Sequence, residues 1–368
     1  MKKNCAFIII DSGFTREVLK RVSTQVLGVW DLTEKNCKFQ VDSKNDYLSA
    51  KQLERFAGDP MGHGTEVLTR LLRVEPNAKV ILLKAFENFE VCKTLWEQGR
   101  IVRPGWSEGY IWAAQLAESL GMVSVGNCSF GGYRHAMDGT GWESMQIGQW
   151  TGVGKPGHIL VAAAGYGDSR AVHGKVNLLD GERKTFYARQ DGWCEYNCWF
   201  GLGQSFVKKP DWVLEARLNG EVVWFSDSSE VPPNMWNNCQ QLKFSITGGG
   251  KVEVEISRKS RGGIRTDNGL HVDLWAEDAR LENWVSPELL PEPACFPHVL
   301  TVGLRASFYS PRQELVGYKP EVLLTGGDQI SFRLPEIVVA VGKILEQEPQ
   351  LDVDKIRARL PKFWKNGV

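Results

Sequence analysis

Residues 6–13 read Ala-Phe-Ile-Ile-Ile-Asp-Ser-Gly. This short apolar run, rich in β-branched side chains, fits a strand covered on both faces, as in a parallel sheet packed between helices. Asp11 then places a carboxylate at the C-terminal end of that strand. The same style continues along the chain. A helix is expected from Thr65 to Leu72, a strand over Lys79–Ala85, and a helix over Ser107–Leu120, with Ile111, Ala114, Leu116 and Leu120 near helical spacing and Gly121 as its stop. Strands Met122–Cys128 and Ile159–Ala164 follow. Such strand–helix–strand alternation implies an α/β fold with a parallel sheet.

Near His173 the pattern changes. Short period-2 strands are expected at Trp212–Leu218, Glu221–Phe225, Leu242–Ile246, Val252–Ile256 and Leu270–Trp275, separated by turn signals such as Leu-Asn-Gly-Glu and Thr-Gly-Gly-Gly. That is the pattern of an antiparallel β-sandwich. The α/β style returns at Val299–Leu304, with a C-terminal helix over Leu334–Glu346 and another starting near Asp352. The expected organisation is an α/β domain in two parts, 1–172 and 288–368, interrupted by a β-sandwich over 173–287.

The 44 basic and 44 acidic side chains of the 368 residues cancel. Net charge thus gives no argument for nucleic acid or an anionic membrane as partner. The opening residues resemble a signal peptide, but Asp11 ends the apolar run too early, and no later stretch approaches the roughly 20 apolar residues that span a bilayer. Eight cysteines without an export signal read as reduced thiols of a cytoplasmic protein. Cys194, Cys198 and Cys239 could be weighed as zinc ligands, but nothing completes a site, so neither metal nor cofactor is expected.

Three short segments could carry chemistry: Asp11 at a strand end, His63 within Gly62-His63-Gly64-Thr65 at a helix start, and Ser331 just before Pro335 at the entrance to the C-terminal helix. Strand ends and helix starts on the C-terminal edge of a parallel sheet are where such folds build sites. Taken singly each is weak, since Asp and Ser also cap helices and a Gly-flanked His also sits in turns. Together, in the order Asp–His–Ser, they match the order of the subtilisin triad.

The wider sequence resembles the subtilisin-like serine proteases (subtilases, peptidase family S8). Asn127-Cys-Ser-Phe-Gly-Gly132 is similar to the family's Asn-x-Ser-x-Gly-Gly, and residues 159–165, ending Ala-Ala-Ala-Gly, to the strand before the oxyanion site. Phe296-Pro-His-Val-Leu-Thr-Val-Gly303, Lys319-Pro320-Glu321-Val322 and Ser331-Phe-Arg-Leu-Pro335 resemble later family segments, and the register continues through Glu348-Pro-Gln-Leu and Ile356-Arg-Ala-Arg-Leu. The inserted strands lie where clostridial germination proteases carry a jelly roll. The resemblance implies a subtilisin-like sheet flanked by helices and peptide hydrolysis through an acyl-enzyme, with Asp11, His63 and Ser331 as catalytic triad. It also implies substrate contacts at Asn127, Ser129, Phe130, Gly131, Ala163, Ala164 and Gly165, and an oxyanion region at Tyr166 and Ser331.

The pattern departs from the family at the oxyanion position, where Tyr166 stands for the usual Asn. The nucleophile segment is also unusual: Gln329-Ile330-Ser331-Phe332-Arg333 replaces Gly-Thr-Ser-Met-Ala, with Glu336 after Pro335 in place of His. Two functional classes therefore stay open. One is a specific intracellular processing protease acting on protein or peptide, with weak or partner-controlled activity. The chain's start at the first core strand, without room for a folding prodomain, adds to the expectation of a regulatory protein partner. The other class is a pseudoprotease serving as a binding or regulatory module. A third reading makes the insertion a sugar-binding module, from Trp193, Trp199, Trp212, Trp224, Trp236, Trp275 and Trp284; aromatics in sandwiches are far more often core.

Overall fold

The computed structural model describes residues 2–34, 37–86, 105–132, 137, 139–165, 171–201, 204, 211–233, 239–259, 269–276, 278–286, 290–304, 319–325, 329–361 and the backbone of 363–364. Strands β1 (Cys5–Asp11), β2 (Val26–Asp31), β3 (Lys38–Gln40), β4 (Lys79–Lys84), β5 (Val123–Cys128) and β6 (His158–Ala163) alternate with helices α1 (Arg16–Arg21), α2 (Ala50–Phe56), α3 (His63–Val74), α4 (Trp106–Ser119) and α5 (Trp142–Ile147). Nine strands follow: β7 (His173–Leu178), β8 (Arg183–Gln190), β9 (Cys194–Phe200), β10 (Trp212–Leu218), β11 (Glu221–Asp227), β12 (Gln240–Ile246), β13 (Gly250–Arg258), β14 (Leu270–Ala276) and β15 (Ala279–Leu281). The chain then forms β16 (Leu300–Leu304), β17 (Val322–Leu324), helices α6 (Ile330–Gln347) and α7 (Val353–Arg357), and β18 (Phe363–Trp364).

Nine of these strands make one sheet in the order β18-β17-β16-β6-β5-β1-β4-β2-β3. Its pairs are parallel except β2 with β3 at one edge. All seven residues of β1 are buried, so its run of isoleucines faces protein on both sides, as a central parallel strand requires. Register fixes where chemistry can gather: Ile10 stands opposite Cys128 and Asp11 opposite Lys84, while Cys128 stands opposite Ala162. Asp11 and the residues leaving β5 and β6 therefore emerge together at one edge. Helix α6 packs on β5, β1 and β6 and against α3, bringing two helix starts to that edge.

Strands β7–β15 form two antiparallel sheets, β11-β10-β13-β8-β15 and β12-β9-β14-β7. Between them lies a core of their own, in which Phe200 and Trp212 stack at 3.7 Å and Trp212 Nε1 donates to Gln240 Oε1 at 2.8 Å. Trp199 and Trp275 are buried too, but in the cluster that continues into the parallel sheet. Trp193 is half-buried, Trp224 and Trp284 are exposed, and Trp236 lies outside the described residues. The cysteines described are buried thiols, and among the described residues no group of His, Cys, Asp or Glu is placed to hold a metal. No described helix is long and apolar enough to cross a membrane.

Helix α6 begins at Ile330, four residues before the start expected from the sequence. Pro335 marks the position without ending the helix, because its missing N–H falls in the opening turns and the one carbonyl it strands finds another donor. Ser331 thus lies inside the first turn rather than ahead of it.

Candidate active site

Asp11 ends β1 and is almost fully buried; His63 opens α3 with its side chain 24% exposed. His63 Nδ1 lies 2.7 Å from Asp11 Oδ1, which also accepts from Ser12 N at 2.8 Å. The carboxylate accepts from Nδ1–H, leaving Nε2 of the neutral ring as a base. Gly64 makes this approach possible: a Cβ there would stand 2.3 Å from Gly13 O and 2.9 Å from Asp11 Cβ. The start of α3 is held by Asp59, a residue the sequence reading did not single out. Its Oδ1 accepts from Ser12 Oγ at 2.7 Å and Gly62 N at 2.9 Å, and its Oδ2 from Thr65 N at 2.9 Å. A carboxylate four residues before a Gly-flanked His at a helix start was the available signal.

Ser331 sits in the first turn of α6. A proline at position 335 has no N–H for the carbonyl four residues earlier, which is that of Ser331. Ser129 supplies the missing donor, its Oγ donating to Ser331 O at 2.9 Å, and Asn127 Nδ2 donates in turn to Ser129 Oγ at 2.9 Å. Ser331 Oγ donates back to Ser129 O at 3.1 Å. The next residue, Phe332, brings its ring to 5.4 Å from the His63 ring, and the Arg70 guanidinium lies 5.8 Å from the centroid of that Phe332 ring. The turn of Ser331 and Phe332 and the imidazole of His63 therefore share one edge of the sheet.

The remaining sequence-predicted residues distribute as follows. Asn127, Ser129, Ala163 and Ala164 are buried; Asn127 donates to Ser129, and Ser129 donates into the turn that carries Ser331. Phe130 is half-buried against Phe86 at 4.6 Å and Trp106 at 5.4 Å; Gly131 is exposed and Gly165 half-exposed past β5 and β6. Tyr166 lies outside the described residues.

Electrostatics favour His63 as the titrating group. Burial pushes its pKa down, but the hydrogen bond and charge of Asp11, joined by the charge of Asp59, outweigh that and hold it above the ordinary imidazole value. Cys128, at the end of β5, is a poor nucleophile: burial first, and then the charges of Asp11 and Glu143, push its thiol well up, so thiolate is scarce. The arrangement brings to one edge an imidazole oriented by a carboxylate, a hydroxyl in the first turn of a helix and the N-terminal end of that helix.

No family model matches the sequence, and no curated protein matches it. In three dimensions the chain is similar to the CspB protease of Clostridium perfringens, with a TM-score of 0.66 over 97% of this chain and 87% of that one, at 14% identity. At that identity the likeness speaks for the fold: mixed α/β, with a large, mainly parallel sheet and antiparallel sheets beside it. Two further structures, the pre-peptidase C-terminal domain of Bacillus anthracis collagenase (9% identity, 32% of this chain, 92% of that one) and the PliG lysozyme inhibitor of Aeromonas hydrophila (7% identity, 32% and 97%), align with a TM-score of 0.20 each and carry no argument.

Proposed function

We propose that this chain is a subtilisin-like serine endopeptidase in which Asp11, His63 and Ser331 form the triad. The observation that carries the reading is the 2.7 Å Asp11–His63 bond, with the turn of Ser331 and Phe332 set beside the same imidazole. The fold likeness to a protease of Clostridium perfringens adds support.

In this mechanism the Ser331 hydroxyl turns from the Ser129 carbonyl toward His63 Nε2 and loses its proton there as Oγ attacks a peptide carbonyl. His63 becomes imidazolium beside Asp11, and then gives the proton to the leaving amine as the acyl-enzyme forms. Water, activated by the same base, releases the acid. The backbone N–H of Ser331 and the positive end of α6 stabilise the oxyanion. With Tyr166 where subtilases carry an amide donor, turnover falls by about 10²–10³ relative to a complete oxyanion hole.

In this reading 1–172 and 288–368 form the catalytic unit and 173–287 an inserted jelly-roll-like sandwich. The protein works in the cytoplasm as a specific processing enzyme with a protein partner, without metal, cofactor, nucleic acid or membrane. A pseudoprotease role is the second reading, favoured by the resting hydrogen bond of Ser331 Oγ to Ser129 O. Labelling by a fluorophosphonate, comparing wild type with Ser331→Ala, tests the proposal: slow labelling that disappears in the variant is expected. Unchanged labelling in the variant, or none in wild type, removes the protease reading.

A further inference from the structure

At its C-terminal edge the parallel sheet leaves a gap that the chain fills with itself. Gly131 and Gly132 run on from β5, and Gly165 lies just past the neighbouring strand β6. Pro291 is wedged between them. Its Cγ lies 2.7 Å from where a Cβ on Gly131 would stand and 3.4 Å from where one on Gly165 would stand. Glu292 pins the wedge through two backbone bonds: its N–H donates to Gly132 O at 2.9 Å, and Gly132 N–H donates to its carbonyl at 3.2 Å. Pro291 and Glu292 are both buried.

The gap adjoins the nucleophile. Ser331 Oγ lies 3.1 Å from the carbonyl of Ser129, two residues before Gly131. A reactive carbonyl carbon must come within about 3–3.5 Å of that Oγ. The residue bearing this carbonyl then sets its own side chain against the ends of β5 and β6. Glycine walls are what close approach of a ligand calls for. Here the depth between those walls is already taken by a ring that cannot change rotamer to make room, and the next residue, Glu292, is tied to Gly132 through both its N–H and its carbonyl.

We infer that Pro291 floors a shallow acyl-side pocket, so that the residue whose carbonyl Ser331 attacks is Gly or Ala. The inference rests on Ser331 being the nucleophile, as proposed above. It names a substrate class: polypeptides cut after a small residue.

The test uses the full chain and four peptidyl diphenyl phosphonates that differ only in the residue beside phosphorus, with Gly, Ala, Leu or Phe side chains. The rate of adduct formation at Ser331 is read by mass spectrometry. The Gly and Ala probes are expected to react about 10²-fold faster than the Leu and Phe probes, since each added methylene is worth about 10–200-fold in a fitted pocket. In Pro291→Gly and Pro291→Ala, checked for folding by circular dichroism, the ratio of Leu to Ala rates is expected to rise at least about tenfold. A wild type that takes Leu or Phe as fast as Ala overturns the inference and shows the wedge moving aside. Ratios unchanged in folded variants also overturn it. A failure of the underlying reading looks different: an unsubstituted fluorophosphonate would leave Ser331 unmodified, and the inference would fall with it.

Discussion

The hydroxyl of Ser331 now reaches the Ser129 carbonyl; in the proposed mechanism it turns from there to the His63 imidazole. Its backbone carbonyl depends on Ser129 as well, because Pro335 cannot serve it. Ser129→Ala strands that buried carbonyl, a loss of about 1–3 kcal/mol, and frees the turn to shift. Thermal denaturation should show the destabilisation, and fluorophosphonate labelling should slow while still depending on Ser331. Labelling at the wild-type rate would mean that Ser129 does not position the nucleophile. The base gives a prediction with a sign. His63 must be neutral to act, and its pKa is held above the ordinary value of about 6.5. Labelling should therefore rise with pH through a midpoint above that value. Folded His63 binds its proton more tightly than the unfolded chain does, so its contribution to stability is present below the unfolded pKa and is lost as pH rises through the folded one. In Asp11→Asn the larger raising partner is gone, only the charge of Asp59 is left to oppose burial, and the midpoint moves to lower pH. The plateau rate falls about 10⁴-fold as the ring loses its tautomer. A midpoint unmoved by Asp11→Asn would separate Asp11 from the base.

Single elements explain what the sequence made legible and what it hid. Strand β1 was readable because a parallel strand buried on both faces leaves an unbroken apolar run, and β10 and β13 because one buried face leaves alternation. Strand β9 escaped that rule: its last five residues are all buried, yet they include Asn197 and Cys198, so it shows neither period nor plain apolarity. Strand β2 was lost because Gly28 interrupts its apolar run. The start of α6 was misplaced because Pro335 reads as a boundary, whereas Ser129, more than two hundred residues away in sequence, takes over the missing bond. Order and flanking residues single out Asp11, His63 and Ser331 as candidates, and the structure pairs the first two and sets the turn of the third beside the same imidazole. The hold of Asp59 on α3 was not legible, since it depends on a loop folding back. The junction of α3 with β1 is the tightest test at this scale. In Gly64→Ala the added methyl collides with Gly13 O and with Asp11, at 2.3 and 2.9 Å. A displacement of about 1 Å between base and carboxylate costs about 10² in rate. Labelling of Gly64→Ala should drop by that order; an undiminished rate would show that α3 and β1 need not meet so closely.

At the scale of the molecule, two hydrophobic clusters divide the work. One runs through the parallel sheet and its helices, and the other lies between the antiparallel sheets; Trp199, Cys239 and Trp275 belong to the first although they come from the strand-rich segment. Trp212 lies wholly in the second, stacked on Phe200 and bonded to Gln240. Trp212→Ala should cost about 3–5 kcal/mol. Because Trp212 belongs to the second cluster and not the first, the calorimetric transition of the antiparallel segment should fall while Ser331 labelling persists below that temperature. Loss of labelling together with that transition would show that the two cores stand or fall as one. The central claim, that Asp11, His63 and Ser331 act as one catalytic unit, is met most directly by mapping the residue that a fluorophosphonate modifies and timing the reaction in wild type and His63→Ala. The account predicts an adduct on Ser331 alone, formed at least about 10³-fold more slowly without the imidazole. An adduct on another residue, or a rate indifferent to His63, would contradict it.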